Sequence, residues 1–239
     1  KLPNIQVMIM TKIRGLLFDK DGTLLDFQAT WGSWASDVML ELAEGDAALA
    51  NLLAERILLD RETRTFSSES PVISGTNHET AAALQQELPG LTLDDVIHRL
   101  DKSGIPLTPV PIVPLGPLLR DLRAASYVTG VATNDSSAPT LVQLELMGLA
   151  EAFDFVVCAD SGHGAKPAPG MCLAFLEATG LAAEETLMIG DSLHDLHAGR
   201  AAGMQTLAVL SGPIGGDILA PHADFVLPDI GHLSTILAS

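Results

Sequence analysis

Four short stretches of this 239-residue chain gather the side chains that could do chemistry. The first, Phe18-Asp19-Lys20-Asp21-Gly22-Thr23, closes an apolar run. Residues two apart on an extended chain face the same way, so the carboxylates of Asp19 and Asp21 project together, and Gly22 lets the chain turn sharply behind them. A calcium-binding EF-hand loop also uses Asp-x-Asp, but Leu24 and Leu25 stand where it needs oxygen ligands. The second stretch, Val131-Ala132-Thr133-Asn134-Asp135-Ser136, ends in a hydroxyl and a helix start whose backbone amides can hold a phosphate oxygen. The third, His163-Gly164-Ala165-Lys166-Pro167-Ala168-Pro169, carries one lysine in a loop stiffened by its prolines. The fourth runs from Leu187 to Ile189 and on into Gly190-Asp191-Ser192-Leu193-His194-Asp195. Each alone has a mundane use: a solvated acidic turn, a helix cap, a solvated cation, an acidic first turn of a helix. Together, all at carboxyl ends of strands where open parallel sheets bind ligands, they argue for one site.

The elements that must carry these stretches are legible as short apolar runs: Ile13–Phe18, Tyr127–Ala132, Phe153–Val157, Thr186–Ile189, Thr206–Leu210 and Phe225–Leu227. Helical segments alternate with them at Leu115–Ala125, Ala138–Leu149, Gly170–Thr179 and Ser192–Ala202, with stop signals such as Gly148, Gly180 and Gly203. Regular alternation predicts an α/β fold, a doubly wound parallel sheet covered on both faces. One segment breaks the rhythm. Residues 26–111 read as almost wholly helical, with Trp31, Trp34, Val38 and Leu42 on one stripe continued by Leu49, Leu52, Leu53 and Ile57. Further helices are expected over His78–Leu88 and Leu93–Leu100, before Pro106, Pro109, Pro111 and Pro114 mark an extended return. The expected organisation is a core of residues 10–25 and 112–239 with a helical cap at 26–111, and residues 1–9 read as a tag ahead of a start at Met10.

Composition narrows the partners. Thirty acidic residues against thirteen basic ones give a net charge of −17, which repels nucleic-acid backbones and anionic lipid, so neither is an expected partner. With apolar residues at 47%, the chain is not intrinsically disordered. Cys158 and Cys172 form no disulfide framework or thiolate metal site, no apolar run is long enough for a membrane span, and no secretory signal is visible at the start. A cytoplasmic protein, monomer or homodimer, is the expectation.

The motifs Asp19-Lys20-Asp21-Gly22-Thr23, Thr133-Asn134, Lys166-Pro167 and Gly190-Asp191-Ser192-x-x-Asp195 resemble those of the haloacid dehalogenase-like hydrolase superfamily, in its phosphoglycolate phosphatase-like branch with a helical cap. The resemblance runs from Met10 to the end. It implies a magnesium-dependent phosphomonoester hydrolase acting on a small phosphorylated metabolite through an aspartyl-phosphate. On that resemblance Asp19 is the nucleophile, and Asp21 the acid for the leaving alcohol and then the base for water. Mg2+ is held by the Asp19 carboxylate, the Asp21 carbonyl and the Asp191 carboxylate, Asp195 stands behind them, and Thr133, the Asn134 amide and Lys166 bind phosphate oxygens.

A phosphosugar mutase of the same fold, or a catalytically inactive binding protein, would carry the same architecture. Dehalogenation has no use for Asp21 and Asp191, and Schiff-base chemistry would need a cap lysine, of which the insertion has only Lys102. Two residues depart from the common pattern. Lys20 replaces an apolar residue and is expected to face away from the site, while Asp135 stands where related enzymes often carry lysine and adds negative charge beside the phosphate loop. His194 and His197 flank Asp195 without further ligands nearby, and Trp31 and Trp34 read as cap core. For choosing the alcohol, the turn at Thr76, Asn77 and His78 is the expected reader.

Overall fold

A computed structural model of the chain describes residues 13–73, 75–101, 103 and 107–237; the expected tag at 1–9, the start at Met10, and Lys102 and Pro106 lie outside them. The chain opens with β1 (Gly15–Phe18), then leaves the sheet for α1 (Phe27–Leu42), α2 (Ala47–Arg56), the short strands β2 (Leu59–Asp60) and β3 (Thr65–Phe66), α3 (Asn77–Gln85) and α4 (Leu93–Asp101). It returns through α5 (Leu115–Ala124), β4 (Val128–Thr133), α6 (Ser137–Leu146), β5 (Phe155–Cys158) and α7 (Gly170–Thr179). Then follow β6 (Thr186–Gly190), α8 (Leu193–Ala201), β7 (Gln205–Val209), a single turn α9 (Gly216–Leu219) and β8 (Phe225–Leu227).

Six strands form one sheet in the order β5-β4-β1-β6-β7-β8, and every neighbouring pair is parallel. The fold is the doubly wound α/β sheet that the alternation predicts. One face packs Leu16, Phe18, Val131, Ile189 and Leu207 beneath Leu119 and Leu144; the other packs Leu17, Ala132 and Met188 against Met171 and Phe175. Burial on both faces is the reason the strands read as unbroken apolar runs. The order reverses at β1, where the chain goes first to β4 and β5 and later crosses to β6. Phe18 lies opposite Val131 on one side and Ile189 on the other, so the three strands end within two residues of one another. Such a switch point opens a crevice at the carboxyl edge.

The excursion between β1 and α5 has its own apolar cluster, built from Phe27, Val38, Met39, Leu53, Ile57, Phe66, Leu84 and Val96 among others. It is not wholly helical, as the pattern suggested. β2 and β3 pair antiparallel, with Leu59 opposite Phe66. The Asp60 carboxylate accepts hydrogen bonds from the amides of Glu62 and Thr63 at 2.8 and 3.0 Å, which reverses the chain locally. The stripe expected to run on from Leu42 is also broken. Asp46 caps a separate α2 by accepting from Ala48 and Leu49, and the chain between turns through Gly45 at φ 89°. Among the described residues, no helix is long and apolar enough to cross a membrane.

The ribbon is locked to α1 at two points. Gln28 donates to the Phe66 carbonyl at 2.9 Å and accepts from the Phe66 amide at 2.8 Å, replacing a strand partner. One turn later, Gly32 meets the Arg64 carbonyl so closely that any Cβ would collide with it. Gly32→Ala should therefore destabilise the protein by roughly 1–3 kcal/mol through overpacking, measured by urea unfolding. A neutral substitution would mean that the ribbon does not bear on α1.

Candidate active site

The neighbouring carboxyl ends of β1, β4 and β6 bring Asp19, Thr133 and Asp191 to one edge of the sheet. Lys166 enters from the loop before α7, held by a reciprocal pair. The Asn134 side chain donates to the Lys166 carbonyl at 2.9 Å and accepts from the Lys166 amide at 2.8 Å. The ammonium group then donates to Asp19 Oδ1 at 2.5 Å, Asp195 Oδ1 at 2.6 Å and the Ala132 carbonyl at 2.7 Å. An ammonium has three donors, and all three are taken. Asp195 Oδ2 in turn accepts from the Ser192 hydroxyl and amide, and Ser192 caps α8. Asp195 is thus anchored at both oxygens.

Asp19, Asp191 and Asp195 are all buried, with carboxylate oxygens within 4.8 Å of one another. Burial, opposed by Lys166, pushes the Asp19 carboxyl up to about 7. Burial and the charges of Asp19 and Asp195 hold Asp191 well above the usual carboxylate range. Lys166 is held above its ordinary value, because Asp19 and Asp195 outweigh the burial that would lower it. Three carboxylates around one ammonium are short of positive charge. A hard, oxygen-loving divalent cation fits this donor set and would return Asp19 and Asp191 to their charged form. The Asp191 carboxylate accepts from the Thr23 hydroxyl at 3.3 Å and is hemmed in by Gly22, at φ 85°, whose Cβ would strike it. The glycine after Asp21 therefore serves both a turn and a close approach.

The second carboxylate of the pair is gripped differently. Lys20 does not face away. It is completely buried, its ammonium 2.5 Å from Asp21 Oδ2, 2.6 Å from Gln143 Oε1, 3.4 Å from Asp135 Oδ2, and over the Trp31 ring at 5.2 Å. The expectation failed because alternation ends with β1: the amides of Leu24 and Leu25 both donate back to the Lys20 carbonyl, so the chain is already turning. Burial alone would lower the Lys20 ammonium, but Asp21 and Asp135 hold it above its ordinary value. Asp135, raised by its own burial, thus aims its charge at Lys20. On its other oxygen Asp21 accepts from the Trp31 indole at 2.5 Å. Trp31, read from the sequence as cap core, also lines the cleft above the site.

Of the remaining expected residues, Thr133 accepts from the Asp135 amide at 3.1 Å and lines the cleft with Asn134, whose side chain is committed to the lysine loop. Asn77 also lines it, donating to Asp101 Oδ1 and Ser136 Oγ at 3.2 Å each and so joining insertion to core. Thr76 and His78 do not come to the cleft. Thr76 is spent on a capping box with Glu79, and His78 faces solvent. His194 lines the cleft, whereas His197 pairs with His222 at 3.2 Å on the surface. Lys20, Gln143, Trp31, Asp101 and Ser136 were not singled out as site residues. Only Lys20, as a charge inside an otherwise apolar strand end, left a signal that could have been followed.

The profile of the haloacid dehalogenase-like hydrolase family matches residues 16–209. A phosphoglycolate phosphatase of Nitrosospira multiformis is 27% identical over 226 residues, covering 91% of this chain and 92% of that protein. The pyrophosphatase PpaX of Bacillus cereus is 34% identical over 122 residues, which are 51% of this chain and only 56% of the pyrophosphatase. Among solved structures, a HAD phosphatase from Thermococcus onnurineus superposes with a TM-score of 0.64 at 22% identity, over 95% of this chain and 98% of that one, a likeness of fold.

The Lys20 cluster makes a prediction of its own. Lys20→Met removes the cation from two largely buried carboxylates and should destabilise the protein by about 3–5 kcal/mol in urea unfolding. Adding Asp135→Asn should recover part of that loss, because the second change removes a charge that the first left unpaired. Strictly additive losses would mean that Lys20 and Asp135 do not interact.

Proposed function

The chain belongs to the haloacid dehalogenase-like hydrolase family, and we propose that it is a magnesium-dependent phosphatase that hydrolyses a small phosphorylated metabolite through an aspartyl-phosphate on Asp19. The observation that carries this reading is the buried Lys166 ammonium bonded at once to Asp19 and Asp195 beside Asp191. It supports a nucleophile held in one rotamer, with one oxygen tied down and the other left for attack.

In the first step Asp19 attacks phosphorus, the bond from phosphorus to the leaving oxygen breaks, and the Asp21 proton passes to that oxygen. In the second, the Asp21 carboxylate takes a proton from water, whose oxygen attacks phosphorus and frees Asp19. Asp21 begins gripped by Lys20 and Trp31, so one grip must open for a proton to move. Trp31 stands on α1, on the insertion, so seating the leaving group beneath the insertion and freeing the acid are linked. Thr133 and the main chain at Asn134 offer donors to phosphate oxygens. Lys166, with its protons engaged, supplies charge from behind Asp19 and meets phosphate only by exchanging a partner. Asp19 and Asp191, with the Asp21 carbonyl, would hold Mg2+, which when bound supplies charge neutralisation at the transferring phosphoryl group.

Three experiments test the reading. Asp19→Asn should be silent on every ester. Asp21→Asn should slow phosphorylation by an alkyl phosphate at least tenfold more than by an aryl phosphate, whose leaving group needs no proton. Equal losses on both esters would remove the acid role. Chelation should abolish turnover and magnesium restore it, while calcium, with its looser shell, should not. Full activity at negligible metal content would contradict the metal assignment.

A further inference from the structure

Above the catalytic carboxylates lies a cleft of about 800 Å3 between the sheet edge and the insertion. Its volume suits a ligand of drug-like size and far exceeds what a two-carbon leaving group would fill. Trp31, Trp34, Val72 and Leu100 line it from the insertion. From the core, α6 lines it with Val142 and Leu146, which are 55% and 63% exposed although apolar. Core helices ordinarily turn such side chains inward, so this helix presents a second apolar wall to the first. The described lining holds one lysine, Lys166, whose protons are engaged, one histidine, His194, and no arginine, whereas Asp101 adds acid to the walls. A carboxylate on the leaving group would meet apolar surface and like charge.

We infer, resting on the phosphatase reading above, that the substrate is a phosphate monoester of a bulky, apolar, uncharged alcohol, and that the carboxylated alcohol of phosphoglycolate is disfavoured. The alkyl or aryl part lies between α6 and the tryptophans, and the phosphate reaches down to Asp19. Burial of each added methylene favours the complex, while a carboxylate loses hydration without gaining an unengaged lysine or arginine among the described lining residues.

Ethyl phosphate, hexyl phosphate and 2-phosphoglycolate test this, since all three are esters of primary alcohols. The inference predicts kcat/KM at least tenfold higher for hexyl than for ethyl phosphate, with phosphoglycolate lowest. The paired exposed changes Val142→Ser and Leu146→Ser should collapse the hexyl-to-ethyl ratio. Trp31 and Trp34 are the chain's two tryptophans and both line the cleft, so their fluorescence reports binding directly. In the Asp19→Asn protein, hexyl phosphate should shift tryptophan emission at concentrations at least tenfold below those needed for phosphoglycolate. If esters are hydrolysed and bound but phosphoglycolate leads, or chain length has no effect, the substrate inference is overturned and the phosphatase reading stands. Hydrolysis of none of them, with magnesium present, would overturn both.

Discussion

The site depends on one buried ammonium group. Lys166 is 4% exposed, and its three protons go to Asp19, Asp195 and the carbonyl of Ala132, so it ties β1, β4 and the start of α8 together at the sheet's switch point. Removing that charge would leave three carboxylates crowded in a low-dielectric pocket, where like charges cost several kcal/mol each. Even with it, burial and the neighbouring carboxylates raise both Asp19 and Asp191, and a divalent cation suits the gap. On the proposed reading, a phosphoryl group arriving there would meet one nucleophilic oxygen and a field already set.

Much of this was legible in the sequence because it rests on local pattern. Asp19, Thr133, Lys166 and Asp191 each follow an apolar run or sit in a proline-fixed loop, and parallel strands bring such ends together. The six strands and the helices between them follow from burial on both faces, with boundaries shifted by up to three residues. What stayed hidden is what depends on distant partners. Lys20 is 123 residues from Gln143 and 115 from Asp135 in sequence, and no periodicity reports that they meet. The β2–β3 ribbon escaped because each strand is two residues long and its turn is made by an Asp60 side chain, too little for an alternating pattern. Thr76 looked like a reader of substrate because a polar turn and a capping box share the same residues; only its contacts separate them.

Two charge arrangements divide the labour within the same crevice. The Lys166 group holds Asp19, the proposed nucleophile, and the Lys20 group, with Asp135, Gln143 and the Trp31 ring around it, holds Asp21. The negative charge that Asp135 brings to the loop after β4 is met within the protein by Lys20, not by substrate. In a chain with net charge −17, Lys20 and Lys166 are both buried among carboxylates, and tryptophan, leucine and valine make up much of the described walls above them.

The central claim is that Asp19 becomes covalently phosphorylated. Rapid acid quench during turnover, followed by proteolysis and mass spectrometry, measures it most directly. The account predicts a transient phosphoryl group on the peptide containing Asp19, released by hydroxylamine and absent from the Asp19→Asn protein. Turnover that proceeds with an unmodified Asp19 peptide throughout, or with the label on another residue, would contradict it.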